Sequence, residues 1–101
     1  MAALLQVDFE MKGPFGEEMS EAFKDLAESI NEEPGFLWKI WTENALGKEA
    51  GGIYVFETRK DAEKYLKMHT ERLASFGISN VIGKIFDINE PLSKINHAPI
   101  G

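Results

Sequence analysis

The 101-residue sequence contains no cysteine. Disulfide bonds, thiolate catalysis and zinc sites with cysteine ligands are therefore excluded. The two histidines, His69 and His97, lie far apart in the sequence and have no partner at the spacing of metal ligands, so we expect no metal site. The sequence also has no glycine-rich loop of the dinucleotide-binding or phosphate-binding type, and we expect no bound cofactor.

Long apolar runs and clusters of basic residues are also lacking. No stretch approaches the roughly 18 apolar residues of a membrane helix, and the first residues, MAALLQVDFEMKG, have neither the basic start nor the unbroken apolar run of a signal peptide. There are 11 Lys and Arg against 17 Asp and Glu, which gives a formal net charge of -6. We therefore expect a cytoplasmic protein that binds neither nucleic acid nor membranes.

The pattern of apolar residues predicts a single domain over residues 1–101. Strands are predicted for residues 4–11, 36–43, 51–56 and 81–88, and amphipathic helices for residues 17–31 and from Thr58 to a cap at Gly77. The order β-α-β-β-α-β predicts an α+β, ferredoxin-like fold, in which a four-stranded antiparallel sheet carries two helices on one face. Residues 89–101 are expected to form a polar tail without a regular period.

The two faces of the predicted sheet are both rich in apolar residues. The face toward the helices should carry Val7, Phe9, Trp38, Ile40, Tyr54 and Phe56. The opposite face should carry Leu4, Gln6, Leu37, Lys39, Trp41, Ile53, Val55, Ile82, Lys84 and Phe86. About two-thirds of this second set is apolar, whereas a solvated sheet face is mostly polar.

Contiguous exposed apolar patches usually mark an interface. We therefore expect a two-fold homodimer in which two sheets pack face to face, with Leu4, Leu37, Trp41 and Phe86 as candidate contacts. The tail at residues 89–101 could pack on the partner subunit. The alternative is a monomer in which Trp41 is half exposed at the edge of the sheet.

Several blocks of the sequence resemble the YdhR family of mono-oxygenases. They are GPFG, LAESI, EPGFLWK-x-WTE, AGGIY-x-F, YL-x-x-HT-x-RL and FD-x-NEPLS-x-IN, and the resemblance as a whole covers Leu4 to Asn96. The family belongs to the dimeric α+β barrel group, so the resemblance implies this fold, a dimer and a mono-oxygenase activity. Relatives with this fold include mono-oxygenases that oxidise polycyclic phenols to quinones without a cofactor, and enzymes that degrade haem.

Oxygen chemistry without a cofactor needs a substrate that supplies its own electrons, such as an electron-rich phenolate. His69 is the candidate base, because it lies on the inward stripe of the second helix and its ordinary pKa is near neutral. Arg72 follows three residues later and could hold an anionic oxygen. The alternatives are a core histidine bonded to a backbone carbonyl and a surface arginine with a packed stem.

Aromatic side chains could line the substrate pocket. Trp38 and Tyr54 lie on neighbouring predicted strands and could form an aromatic slot, with Phe9 and Phe23 as its walls. Each could equally be an ordinary core residue. The Gly51-Gly52 pair predicts a bulge, a close approach of backbone or a plain loop end.

The leading prediction is a cofactor-independent mono-oxygenase that acts on a small aromatic or phenolic substrate between sheet and helices. The second is a non-catalytic binder of small aromatic molecules with the same fold, and the sequence does not separate the two. A third is haem degradation. The haem-degrading relatives use an Asn on the first strand, whereas Leu4 to Met11 contains Gln6 and Asp8 and no Asn.

Overall fold

A computed structural model describes residues 2–100. Its elements are β1 (Ala3–Glu10), α1 (Gly16–Ala22), α2 (Lys24–Ile30), β2 (Phe36–Asn44), β3 (Glu49–Phe56), α3 (Arg59–Ser75), β4 (Ile82–Asp87) and α4 (Glu90–Ile95). The strands form one antiparallel sheet in the order β2-β3-β1-β4. The predicted α+β, ferredoxin-like fold is confirmed.

Helix α3 begins and ends where the local sequence predicts. The Thr58 hydroxyl oxygen accepts the backbone N–H of Asp61 at 3.1 Å, which satisfies a donor at the N-terminus of the helix. At the other end Gly77 adopts a φ of +84°, a left-handed conformation that costs glycine little. The buried side of the helix consists of Ala62, Tyr65, His69 and Leu73.

The first helical segment is two short helices and not the continuous helix predicted for residues 17–31. The chain leaves helical geometry at Phe23, with φ -108° and ψ 13°, between α1 and α2. Phe23 stacks on Trp41, with ring centroids 6.1 Å apart and planes 13° apart. Met19 and Ile30 are the buried residues of the two helices, so the pair still covers the sheet with an apolar side.

The core lies between the sheet and the helices. Its main cluster is Ala3, Leu5, Val7, Ile30, Tyr54, Phe56, Ala62 and Tyr65, and a smaller cluster of Met11, Met19 and Ala50 extends it. Burying one large apolar side chain contributes roughly 1.5–3 kcal/mol. We call the face of the sheet that meets this core the inner face, and the opposite one the outer face.

Strand β2 contains an irregularity that reverses which side chains face the helices. Its pairing with β3 shifts between Phe36 and Trp38, so that Trp38 lies opposite Val55 and Trp41 opposite Gly52. One extra residue in a strand moves every later side chain to the other face. Trp41 is consequently on the inner face and Trp38 on the outer face.

The predicted assignment of these side chains was therefore wrong for β2. Trp38 and Ile40 were expected on the inner face but lie on the outer one, and Ile40 is 53% exposed. Lys39 and Trp41 were expected on the outer face but lie on the inner one. The prediction is confirmed for the other strands, whose inner residues include Val7, Phe9, Tyr54 and Phe56, and whose outer residues include Leu4, Gln6, Ile53, Val55, Ile82, Lys84 and Phe86.

The C-terminal segment crosses the sheet from one edge strand to the other. It leaves β4 at Asp87, and the Pro99 carbonyl accepts a hydrogen bond of 3.0 Å from the Trp38 indole on β2. It contains α4, which the sequence analysis missed and which the Asn89 side chain caps by accepting the Leu92 N–H at 3.2 Å. Packing of this segment on a partner stays a prediction.

None of the helices in residues 2–100 combines the length and the apolar character that a membrane span requires.

Candidate functional site

A group of polar side chains is buried between α3 and β3. Arg72 Nη2 lies 2.9 Å from His69 Nδ1 and donates to the Tyr65 hydroxyl at 3.1 Å. The Tyr65 hydroxyl lies 3.5 Å from that of Tyr54. The structure thus brings together His69, Arg72 and Tyr54, three of the predicted site residues. Tyr65, which was not among the predicted site residues, connects them.

The contact with Arg72 determines the state of His69. A guanidinium group can only donate, so Nδ1 of His69 must be the acceptor and the proton of the neutral ring resides on Nε2. Burial, together with the charges of Arg72 and Lys39, lowers the pKa of His69 to about 3. His69 is therefore neutral near pH 7 and its basic nitrogen is already occupied. Its catalytic role stays a prediction, while the geometry directly shows it positioning Arg72.

Lys39 extends this group along the inner face. Its Nζ lies 3.3 Å from the centroid of the Trp41 ring and 4.5 Å from that of Tyr54. A Cβ at Gly52 would lie 2.6 Å from Lys39 Cε, so the glycine provides the space in which the lysine lies flat on the sheet. Burial, and then the charge of Arg72, lowers the pKa of Lys39 to about 7.

Lys39 was not predicted as a site residue, because regular alternation along β2 places it on the outer face. The Gly51-Gly52 pair carried part of the signal, since a close approach of backbone was one of its three interpretations. The structure shows that approach at Gly51, against the backbone carbonyl of Val7, whereas at Gly52 it is the Lys39 side chain that comes close.

The two cations of the site have no acidic partner. Within residues 2–100 the ion pairs join Arg59 to Glu63 and Asp87 on the surface, and no carboxylate lies within 4.0 Å of Lys39 or Arg72. Unpaired buried charges are costly. Arg72 is near enough to Lys39 for its charge to lower the pKa of the lysine, and the two create a positive potential that an anionic group of a ligand would neutralise.

The tyrosines of the site cannot supply that negative charge. Burial, and secondly the neighbouring Tyr65, raises the pKa of Tyr54, and burial also raises the pKa of Tyr65. Both hydroxyls therefore keep their protons and act as hydrogen-bond donors or acceptors.

Two openings follow the free edge of β2 beneath α1 and α2. One has a volume of about 310 Å³, and Phe23 and Trp41 form much of its wall. The other has a volume of about 370 Å³ and is bordered by Lys39, Trp38 and Trp41. Trp41 borders both openings, and the second one also reaches Trp38 at the edge of the sheet.

The aromatic slot predicted between Trp38 and Tyr54 is not formed, because the two side chains lie on opposite faces of the sheet. Trp41 occupies the position that Trp38 was expected to fill, and Phe23 stacks on it. Phe9 packs against both core clusters and borders neither opening along β2. Substrate binding by these residues stays a prediction.

The comparisons with known proteins agree with the fold and suggest an activity. The model of a protein family described as "Putative mono-oxygenase ydhR" matches residues 4–99. A crystal structure of mutant SnoaB, a cofactor-independent oxygenase from Streptomyces nogalater, is 16% identical with a TM-score of 0.61, covering 87% of this chain and 93% of SnoaB. MupZ from Pseudomonas fluorescens is 21% identical with a TM-score of 0.56, covering 95% of this chain and 79% of MupZ. At these identities the two structures show the fold alone. No curated protein matches the sequence.

Proposed function

The chain belongs to the ydhR mono-oxygenase family, and from this premise we propose that it oxidises a small, electron-rich phenol with molecular oxygen and without a bound cofactor. The substrate ring lies against the inner face of β2, under α1 and α2. The observation that carries the proposal is Lys39, a cation without an acidic partner that lies among aromatic rings and borders an opening, with the charge of Arg72 close behind it on α3.

The arrangement suits a phenolate better than a neutral apolar molecule. The rings of Trp41 and Phe23 offer flat apolar surface to an aromatic substrate. The charges of Lys39 and Arg72 stabilise an ionised oxygen in surroundings that exclude most water. Ionisation makes the ring electron-rich, which is what a direct reaction with oxygen requires.

The reaction balances without another reductant. When a phenol becomes a para-quinone, the ring carbon opposite the hydroxyl gains one oxygen atom and the second oxygen atom leaves as water. The two hydrogens of that water come from the hydroxyl and from the ring C–H. All four electrons that reduce the oxygen molecule come from the phenol, so the protein has to bind, orient and ionise the substrate.

An oxygen electrode and a panel of polycyclic phenols test the proposal. We expect oxygen uptake with at least one of them, and a loss of roughly a hundredfold in Arg72→Met because one stabilising donor is removed. Arg59→Met, which removes a surface arginine of the same helix, is the matched control and should keep full activity. Absence of uptake across the panel, or equal activity in the two variants, would refute the proposal.

A second candidate is a non-catalytic binder of phenols and other small aromatic molecules. It is favoured by the state of His69, whose basic nitrogen already accepts from Arg72 and cannot also accept from a substrate. Such a protein would bind phenols without consuming oxygen. Binding measured by calorimetry, together with a silent oxygen electrode, would select it.

Haem degradation has less support. Gln6 and Asp8, the polar residues of β1, lie on the outer face and bond to each other at 3.0 Å. They are therefore directed away from the inner face. Added haem should give no Soret band characteristic of a bound complex.

We further propose that two copies assemble through their outer faces. Ile40, Ile82 and Phe86 are between 47% and 57% exposed there, which is costly in water. Of the predicted contacts, Leu4 and Phe86 lie on the outer face and support the proposal, Leu37 lies at the irregularity of β2, and Trp41 does not support it because it faces the helices.

Sedimentation at micromolar concentration should show dimers, and Ile40→Glu should yield monomers because a buried carboxylate opposes the contact. Leu46→Glu is the control, since Leu46 is 97% exposed in the β2-β3 loop. Monomeric wild-type protein would rule out the dimer.

A further inference from the structure

We propose that Lys39 is the base that ionises the substrate hydroxyl, and that Lys39 and Arg72 together then hold the resulting oxyanion. This inference rests on the proposed oxygenase function and names the residue that ionises its phenolic substrate. The proton acceptor is then Lys39 on β2, whereas the sequence had predicted His69 on α3.

The backbone fixes Lys39 at this place. The irregularity of β2 between Phe36 and Trp38 directs Lys39 to the inner face, where it lies opposite Tyr54. Its side chain passes over Gly52 and ends above the ring of Trp41. Lys39 and Trp41 both border the opening beneath α2, so the amine above the Trp41 ring lies next to this opening.

The groups around Lys39 leave it as the one member of this cluster able to take up a proton near pH 7. From β3 it faces Tyr54, and on α3 it is near enough to His69 and Arg72 for charge interactions with both, while Tyr65 contacts Tyr54 and Arg72. Both tyrosines keep their protons because burial raises their pKa values, and Arg72 is always charged. The pKa of His69 is lowered to about 3, and Arg72 occupies its Nδ1.

The surroundings also favour the neutral amine before the substrate arrives. Burial and the charge of Arg72 lower the pKa of Lys39 to about 7, so that a large share of the side chain is uncharged at neutral pH. On α2, Glu28 borders the same opening but forms no ion pair with Lys39. Once a phenolate is bound, it becomes the counter-ion that this lysine lacks.

The proton transfers close into a cycle. The phenol O–H gives its proton to the neutral Lys39 amine, leaving an ammonium group beside a phenolate. Oxygen then adds to the ring carbon opposite the hydroxyl, and the terminal peroxide oxygen takes the proton back from Lys39. Loss of water, with the ring hydrogen of that carbon as its second proton, forms the second carbonyl of the quinone and leaves Lys39 neutral again.

The first experiment measures ionisation without turnover, using 4-nitrophenol, whose phenolate is yellow. In the presence of wild-type protein the probe should ionise at a lower pH than in buffer. Lys39→Met should abolish most of this shift and weaken phenolate binding roughly tenfold to a hundredfold, since a hydrogen bond to a charged group is lost. Lys67→Met, at an exposed position of α3, is the control and should resemble the wild type.

Lys39→Arg separates holding the anion from taking up the proton. Arginine keeps the charge but cannot release a proton, so this variant should bind 4-nitrophenolate and yet lose most oxygen uptake at pH 7. Uptake should recover as the pH is raised until the free phenol is itself ionised. A merely structural lysine would not give a pH-dependent recovery.

The results distinguish this inference from the proposed function. If Lys39→Met ionises the probe as well as the wild type does, or consumes oxygen at the same rate, Lys39 is not the base, whatever the oxygen electrode shows for wild type. If the probe shift depends on Lys39 but no phenol consumes oxygen, the anion site remains and the oxygenase proposal fails. Circular dichroism of each variant confirms that the comparison is made between folded proteins.

Discussion

The inner and outer faces of β2 each carry one tryptophan, three residues apart, in very different surroundings. Trp41, on the inner face, stacks on Phe23 and lies under the ammonium group of Lys39. Trp38, on the outer face, reaches the Pro99 carbonyl of the C-terminal segment, and next to it Ile40 is half exposed. The inner face is therefore charged although covered, and the outer face is apolar although exposed. This is the reverse of what stability alone favours, and ligand binding inside and assembly outside would account for it.

The largest contrast between the faces should appear when a phenylalanine is truncated on each. Phe56 on the inner face is fully buried, so Phe56→Ala should cost about 3–5 kcal/mol of unfolding free energy. Phe86 on the outer face is 47% exposed, and Phe86→Ala should cost about 1 kcal/mol. Urea unfolding of dilute protein measures both. Equal losses would mean that the outer face is as well covered as the inner one under those conditions.

Replacing the inner lysine should stabilise the protein while removing its proposed activity. Burial of a charged group without a partner opposes folding, so an apolar side chain of similar length should be better tolerated at this position. Because the pKa of Lys39 falls from 10.5 in the unfolded chain to about 7 in the folded one, the unfolded chain binds more protons between these values. The lysine's contribution thus makes wild-type stability rise with pH across this window.

Lys39→Met should abolish this part of the pH dependence and be more stable than the wild type at pH 7. Unfolding in urea at pH 7 and pH 9 provides the measurement, with Lys67→Met as the reference for an exposed lysine. A stability difference between Lys39→Met and the wild type that does not change with pH would show that the amine is fully charged in the folded state.

The two adjacent glycines of β3 offer a smaller, position-specific contrast. Gly51 faces outward, and a Cβ there would collide with the backbone carbonyl of Val7, so Gly51→Ala should cost about 1–3 kcal/mol. At Gly52 the nearest atom belongs to the flexible end of Lys39, which can move away. Gly52→Ala should therefore unfold much like the wild type but bind 4-nitrophenolate more weakly. Retained binding would mean that Lys39 does not need this space.

Much of the fold follows from local patterns, whereas the site depends on one register shift. Thr58 and Gly77 define the ends of α3, and the inward stripe of that helix locates His69 in the core. In β2, the residues FLWKIWTEN have apolar side chains in both sets of alternate positions, so the pattern of alternation cannot reveal an inserted residue. The shift depends on pairing with β3 and packing under α2, which are tertiary effects.

The smallest expected effect concerns the two tryptophans themselves. Trp38→Phe removes one partly exposed hydrogen bond to Pro99 and should cost about 0.5–1.5 kcal/mol. It also leaves Trp41 as the sole indole, and the emission of this residue should respond to 4-nitrophenolate because the ligand competes for the Lys39 ammonium above the ring. Trp41→Phe leaves only Trp38, which borders the same opening but whose ring does not contact the Lys39 ammonium group, so its emission should respond less to the ligand than that of Trp41. A ligand response that survives in Trp41→Phe and vanishes in Trp38→Phe would place the bound molecule on the outer face, and the assignment of binding to one face and assembly to the other would have to be exchanged.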